Sequence, residues 1–401
     1  MKLASDSIFS PEKYAKTRLP IEQASPLPPE VYTNDAWYER EMQTIFRKRW
    51  LQATREEEIP NPGDYVRIDI AGDPLIIIRD ETGVIRALSA ACRHRGSELL
   101  EGSGNCKRIK CPYHAWTYSL SGELQAAPAM SKAEGFNKDE HGLPSVRCEL
   151  WAGFVFINFD DNAKPLIESL HGLDERFKDY NLQDMRVIKK WENRFNANWK
   201  IWVENSREGY HVRTVHKPSF DTFYPDAKLS KFEAHGVPGV YAINTSDVET
   251  GLYVPRNKTL PYIDTLSPED RESTHFMVYY PHLLMNMPPD RITFHQYFPE
   301  GPHWTRIVTW CCFPKDTIEL DHFEKDFEEI YVPPMEMFIA EDKGICELVH
   351  RGVVGSLTQL GRYSPDEEKT VHEFSNYVLD HVLGPEAGDS TMDAPNALRA
   401  V

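Results

Sequence analysis

Four residues constrain this chain more than any others: Cys92-Arg-His94, then sixteen residues, then Cys111-Pro-Tyr-His114. The spacing C-x-H … C-x2-H puts two thiols and two imidazoles on a pair of short loops. That donor set suits a [2Fe–2S] centre in which two Cys hold one iron and two His the other, which raises the potential well above that of a four-Cys cluster. Gly96, Gly102 and Gly104 lie near the first pair and Pro112 inside the second, and such residues let a backbone turn tightly around inorganic sulfur. The alternative for the same residues is a Cys2His2 zinc site, although zinc more often uses C-x2-C and H-x3-H pairs. Cys106 sits in the same stretch but outside the pattern and reads as a free thiol.

The surrounding texture is that of a small all-β domain. Asp64–Ile70, Asp73–Arg79 and Val84–Leu88 are β-rich runs set off by Gly63, Gly72 and Gly83. Trp116, Tyr118 and Leu120 alternate with smaller residues into a turn at Ser121-Gly122, and Trp151–Phe159 reads as an apolar closing strand ended by Asp160, Asp161 and Asn162. Before this block, Pro11 to Arg18 forms an early helical patch, and Trp37, Met42, Ile45 and Phe46 recur at helical spacing behind Asn34. After it, helical patterns near 165–180, 198–216 and 320–350 alternate with strand-like runs at Phe276–Tyr280, Ile292–Phe298 and Thr305–Cys312. An α+β region is expected there.

A second constellation lies at 198–218, NWKIWVENSREGYHVRTVHKP. Glu204, Glu208 and His211 would share a helical face at spacings of four and three. His216 lies five beyond His211, so a π-bulge or an early helix end is needed to bring it back, and Pro218 favours the early end. Two His on one short irregular helix make most of a 2-His-1-carboxylate site for non-haem iron; the alternative is a pair of surface or core histidines. For the carboxylate, Met335, Phe338, Ile339, Ile345, Cys346 and Val349 draw an apolar stripe on a helix. Asp342 falls on that stripe, while Glu341 and Glu347 fall off it. A buried carboxylate needs a cation, which is either a metal or one of Arg213, Arg351 and Arg362.

Composition narrows the classes. The chain carries 45 Lys plus Arg against 62 Asp plus Glu, a formal charge of −17, which argues against nucleic acid or an anionic membrane as partner. No signal-like apolar run opens it, and its longest uncharged, mostly apolar stretch, Trp151–Phe159, is far shorter than a membrane span. A soluble cytoplasmic protein is expected. The seven cysteines, odd in number and unevenly spread, read as metal ligands plus free thiols. Between Cys92 and Gln125 the sign inverts, with five cations (Arg93, Arg95, Lys107, Arg108, Lys110) against three acids. That stretch is either a solvated loop or a docking patch for an acidic electron donor.

Taken together, CRH and CPYHAW, then NWK…EN..E.YH….H, then the ED…C…RG…GRYS…E region at 341–367 resemble the catalytic α subunit of Rieske non-haem iron oxygenases, the aromatic-ring-hydroxylating oxygenases. The resemblance implies a small all-β Rieske domain (45–160) and a larger α+β catalytic domain (161–385) whose central antiparallel sheet is flanked by helices. An N-terminal helical arm (1–44) would belong to the catalytic domain, and 386–401 would be a flexible tail. It implies that Cys92, His94, Cys111 and His114 ligate the [2Fe–2S] cluster and that His211, His216 and Asp342 bind a mononuclear Fe(II). Asn205 and Glu208 are the further catalytic candidates. In the family an acidic residue three positions before the first iron-binding His bridges to the Rieske histidine of a neighbouring subunit. Most ring-hydroxylating members have Asp there. Glu208 resembles instead the branch acting on carnitine, glycine betaine and related quaternary amines, which works as homotrimers without a β subunit; an α3β3 assembly belongs to the ring-hydroxylating alternative. The implied reaction consumes O2 and draws electrons from NAD(P)H through a separate reductase or ferredoxin, and no G-x-G-x-x-G unit occurs here. Implied outcomes are hydroxylation or oxidative demethylation of a small quaternary amine or betaine, or alternatively dioxygenation of an aromatic acid. Tyr and Phe side chains of the catalytic region, among them Phe220, Tyr224, Tyr253 and Phe276, could hold either an ammonium or a ring, and Arg213, Arg256 and Arg291 could pair a substrate carboxylate.

Overall fold

The computed structural model describes residues 8–224, 233–247 and 259–384. Tyr253, Arg256 and the 386–401 tail lie outside them. Two seven-stranded antiparallel sheets dominate, as expected for α+β. The first runs, in spatial order, Leu51–Arg55, Phe154–Asn158, Ser145–Trp151, Ile85–Ser89, Asp73–Arg79, Asp64–Ile70 and Ser103–Asn105. A three-stranded sheet (Ile109–Lys110, Thr117–Tyr118, Leu124–Ala126) lies beside it and carries the second cluster loop. The second large sheet runs Met185–Phe195, Thr305–Pro314, Ile292–Pro299, Leu283–Met287, Ser273–Tyr279, Tyr241–Asp247 and Glu233–Val237. Strands consecutive in the chain pair side by side, except for the long return that places Met185–Phe195 against Thr305–Pro314.

Three expectations are corrected. Trp151–Phe159 is not one strand: Ala152 and Gly153 both have positive φ (49° and 79°) and fold the run into a hairpin, the backbone that two-residue hairpin turns require. The 165–180 region is two single-turn helices, Leu166–Ser169 and Leu173–Arg176, broken at His171 and Gly172, which have φ 48° and 92°. The early patch is a 3-10 turn, Pro11–Tyr14. By contrast Asp35–Thr44 is helical behind an Asn34 cap whose side chain accepts from the Trp37 N–H (3.0 Å).

The arm before residue 45 packs on the catalytic helices. Glu41 and Lys200 are both fully buried and paired at 2.7 Å, and Glu41 also accepts from the Trp37 and Trp199 indoles, each at 2.9 Å. Tyr32 donates to Glu204 at 2.7 Å. The chain then leaves for the first sheet and returns close by: Lys48 pairs with Asp160 (3.0 Å) and Trp50 donates to the Lys164 carbonyl (2.9 Å).

The two large sheets meet at Gln52, whose carbonyl accepts from His282 (3.0 Å) and Gln296 (2.9 Å). Burial pushes the His282 pKa down to about 4. Between its usual value near 6.5 and about 4 the unfolded chain binds more protons than the folded one, so stability falls on acidification through that window. The loss from this residue is at most about 3 kcal/mol. The melting temperature is expected to drop between pH 6.5 and 4, and less steeply in His282→Gln; identical slopes would refute the assignment.

Candidate functional site

The two cluster loops are built alike. In each the Cys carbonyl accepts from the N–H four residues on (Gly96 to Cys92, 2.8 Å; Ala115 to Cys111, 3.1 Å), and the Cys N–H donates to the carbonyl five residues on (Ser97, 2.9 Å; Trp116, 2.8 Å). The left-handed residue that closes each turn is Gly96 (φ 73°) in the first and Ala115 (φ 57°) in the second. Pro112 was expected to serve the second loop; alanine at positive φ is not a composition signal, which is why the sequence concealed it.

These turns bring all four donors together. Cys92 and Cys111 are buried, and the Nδ1 atoms of His94 and His114 face each other at 3.2 Å. Two imidazole nitrogens that close can both offer lone pairs to one ion. Burial would raise the Cys111 thiol, but the backbone N–H groups of His114 and Tyr113 outweigh it and lower its pKa, favouring the thiolate that a metal binds. All seven cysteines are free, and Cys106 is half-buried. Trp116 stacks on His94 with ring centroids 5.0 Å apart, and Tyr113 lies exposed over His114. The donor set therefore fits a two-Cys, two-His [2Fe–2S] cluster.

Tyr118 adds a feature that spacing could not show. Its hydroxyl accepts from the Arg93 N–H (3.1 Å) and donates to Cys92 Sγ (3.3 Å). A donor to a ligand sulfur stabilises the more negative, reduced cluster. Tyr118→Phe is expected to lower the cluster potential by roughly 60 mV, the one-electron equivalent of a hydrogen bond worth about 1.4 kcal/mol. Spectroelectrochemical titration checks this, and an unchanged midpoint would rule it out.

The second constellation converges differently from the helical face expected of it. The helix from Trp199 stops at Asn205, so Glu204 turns back to Tyr32 and does not join Glu208. A loop follows, then a single turn Val212–Val215 and a helix Lys217–Phe223 that Pro218 helps to start. The early end thus brings His211 and His216 together, as the five-residue spacing required. The opposing wall is the helix Val332–Val353, which delivers Asp342. The candidate donor atoms of His211, His216 and Asp342 lie within 4.8 Å of one another. Among the described residues no arginine pairs with Asp342. His216 Nε2 lies 3.2 Å and His211 Nε2 3.8 Å from Asp342 Oδ1, which also accepts from Asn205 Nδ2 at 2.9 Å. Asn205 therefore orients Asp342.

Two further carboxylates fix the imidazoles. His211 Nδ1–H donates to Glu208 Oε1 (2.6 Å), whose other oxygen accepts the His211 backbone N–H (2.9 Å). His216 Nδ1–H donates to Glu341 Oε2 (2.8 Å), and Ser219 donates to Glu341 as well, by its hydroxyl (2.6 Å) and its N–H (3.2 Å). Both Nε2 lone pairs are thereby aimed at the Asp342 carboxylate, an arrangement that calls for a cation between them. Burial alone would raise the Asp342 carboxyl, yet His216, with His211 and Asn205, holds it below the usual range. The residues fit a mononuclear metal of the 2-His-1-carboxylate type.

Glu341 is the functional residue that periodicity missed. It falls off the apolar stripe because its partner comes from another element. Val349, expected on that stripe, is 44% exposed, and His350 is buried in its place. Glu341→Ala is expected to weaken iron binding about 10–100-fold without disturbing the cluster. Iron titration against a chelator reads this directly; wild-type affinity would sink it.

A cavity of about 100 Å³ opens on the three donors, on a measure by which one water needs roughly 10–15 Å³. Trp202, Phe276, Met335 and Phe338 give it an apolar side, and Asn244, Asn286, Thr293 and His295 a polar one. Phe220 and Tyr224 pack round Phe338 and do not line it. Of the arginines singled out, Arg213 is exposed on the surface and Arg291 lines the cavity, its guanidinium bound to buried Asp290 at 2.7 Å.

A cluster-binding β domain and a carboxylate-backed mononuclear site in one chain define a two-centre redox protein. The chain belongs to the Rieske-type ring-hydroxylating alpha subunit family: residues 49–146 match the Rieske [2Fe-2S] domain, and residues 182–384 match the Ring hydroxylating alpha subunit (catalytic domain). Its cofactors are accordingly a Rieske [2Fe–2S] cluster and a mononuclear iron. It is 36% identical over 198 residues to the carnitine monooxygenase oxygenase subunit of Acinetobacter baumannii, covering 49% of this chain and 53% of that one, so it spans about half the length of that relative. To the glycine betaine monooxygenase oxygenase subunit of Pseudomonas aeruginosa it is 26% identical over 395 residues, 89% of each. The quaternary ammonium Rieske monooxygenase CntA in complex with L-carnitine superposes with a TM-score of 0.73 at 25% identity, over 93% of this chain and 98% of that one. No helix among the described residues is long and apolar enough to cross a membrane.

Proposed function

We propose that this chain is the oxygenase component of a system that uses O2 and electrons from NAD(P)H, delivered by a separate reductase, to hydroxylate or oxidatively demethylate a small quaternary amine or betaine. The observation that carries the reading is the donor set of His211, His216 and Asp342 at the wall of a largely apolar cavity. We assign those three to the mononuclear iron, and Cys92, His94, Cys111 and His114 to the cluster, with the cluster domain at 45–160 and the catalytic domain at 161–385. The iron, when bound, supplies open coordination positions where O2 and substrate can meet. The protein residues do the rest. Glu341 and Glu208 keep both imidazoles in the tautomer that faces the metal, and Asn205 holds Asp342 in place. Trp202, Phe276 and Phe338 exclude water and offer faces to a quaternary ammonium. Glu208 carries electrons across from the Rieske histidine of a neighbouring copy, which makes the working unit an oligomer, a homotrimer by the family's pattern. Leu357, 93% exposed, with Val354 and Tyr210 also exposed, supports burial of these surfaces between copies. Arg93, Arg95, Lys107, Arg108 and Lys110 are all exposed around the cluster loops and suit an acidic reductase or ferredoxin.

The Glu at position 208 and the relatives named for carnitine and glycine betaine support the quaternary-amine class. The test is O2 uptake with a surrogate reductase across betaines, carnitine and aromatic acids, scored only where uptake is coupled to product. Coupled turnover of an aromatic acid and of no amine would overturn the substrate class.

A further inference from the structure

Arg207 immediately precedes Glu208 and is fully buried, yet among the described residues it makes no ion pair. Its Nη2 donates to Asn244 Oδ1 (3.1 Å), its Nη1 reaches the Ala242 carbonyl at 3.5 Å, and its Nε has no partner. Burial pushes the guanidinium's pKa down, and Tyr280, Tyr297 and Glu373 oppose the shift, so the side chain is held by dispersed polar contacts and not by one carboxylate. What the residue does achieve is to fix backbone. Its own carbonyl accepts from Asn244 Nδ2 (3.2 Å) and from the Thr370 hydroxyl. Arg207 is thus gripped reciprocally by the strand Tyr241–Asp247 and from the other side by the helix Lys369–Leu383. The anchored residue sits just past the helix ending at Asn205, its N–H still on the Glu204 carbonyl (3.1 Å), ahead of the loop that leads to the turn carrying His211. Asn244 also lines the cavity, so the grip joins the cavity wall to this loop.

We propose that Arg207 is a positioning residue: clamped by Asn244 and Thr370, it turns inward so that Glu208, next to it, stays on His211 and presents its carboxylate to a neighbouring copy. The inference rests on the reading of Glu208 as the electron bridge.

The test uses the full assembled protein. The cluster is reduced anaerobically with dithionite and mixed with O2, and its visible absorption is followed in iron-loaded and mononuclear-iron-depleted samples. The difference isolates transfer between the centres. Arg207→Met and Thr370→Val are expected to slow that component, roughly tenfold or more for the first and severalfold for the second, with mononuclear iron content, cluster potential and melting temperature at wild-type values. Thr370→Val keeps the test decisive if Arg207→Met does not fold. Wild-type transfer in both, alongside slow transfer in Glu208→Gln, overturns this inference alone. Slowing that merely follows lost iron or a lowered melting temperature overturns it too, by making the role structural. Wild-type transfer in Glu208→Gln overturns the bridge reading and this inference with it.

Discussion

Replacing Asp342 with Ala is expected to strip the mononuclear iron, leave the cluster's iron and visible spectrum intact, and abolish turnover. The cause is electrostatic. Among the described residues Asp342 is the single anion facing the Nε2 atoms of His211 and His216, at 3.8 and 3.2 Å. Without it two neutral imidazoles remain, and a divalent ion loses both a ligand and its counter-charge. Asn205, which now donates to Asp342, would be left aimed at the gap. The cluster donors belong to other loops and contact none of these groups. Iron analysis beside the cluster absorption decides the matter: a variant that keeps its full iron would show that the carboxylate ligand lies elsewhere.

Glu208→Gln separates metal binding from electron flow. The amide is the same size as the carboxylate but has one acceptor oxygen instead of two, so it can satisfy either the His211 ring or its backbone N–H, not both. His211 stays tethered, and both metals are expected to remain bound. The carboxylate's negative charge is lost, and with it the proposed path from a neighbouring copy's cluster. Turnover is expected to stop, with the cluster still reducible by the donor. Normal activity would show that electrons take another route.

Which parts of this were legible in the chain follows from how local each signal is. Asp64–Ile70 and Asp73–Arg79 fall at the expected residues because glycines bracket them and each run is about one strand long. Six of the seven candidate donors stand in pairs of short spacing, and Asp342 was singled out by its place on the apolar stripe of its helix. What stayed hidden depended on a partner from elsewhere. Glu341 looks like a surface acid until His216 and Ser219 arrive opposite it, since periodicity tells which way a side chain points but not what will stand there. Tyr118 reads as strand core until its hydroxyl meets Cys92. The contacts of Arg207 past the helix end are hidden too, because its partners lie on a distant strand and a distant helix. Ala115 and Ala152 take left-handed backbone without glycine's signature.

The arm up to Thr44 is locked to the helix Trp199–Asn205 by the Glu41–Lys200 pair, while the strands between Leu51 and Asn158 form a sheet of their own. Its outgoing and returning strands, Leu51–Arg55 and Phe154–Asn158, are paired side by side, and Lys48 meets Asp160 where it leaves and re-enters. In topology the electron-carrying module is a cassette inserted into a discontinuous host, with adjacent ends of the kind that make insertions tolerable. A host cut from residue 161 onward would lose Glu41 and strand a buried ammonium beside the iron-binding loop. The cassette is no freer than its host: Leu51, Ile77 and Phe154 share one continuous apolar core with Trp199 and Phe294.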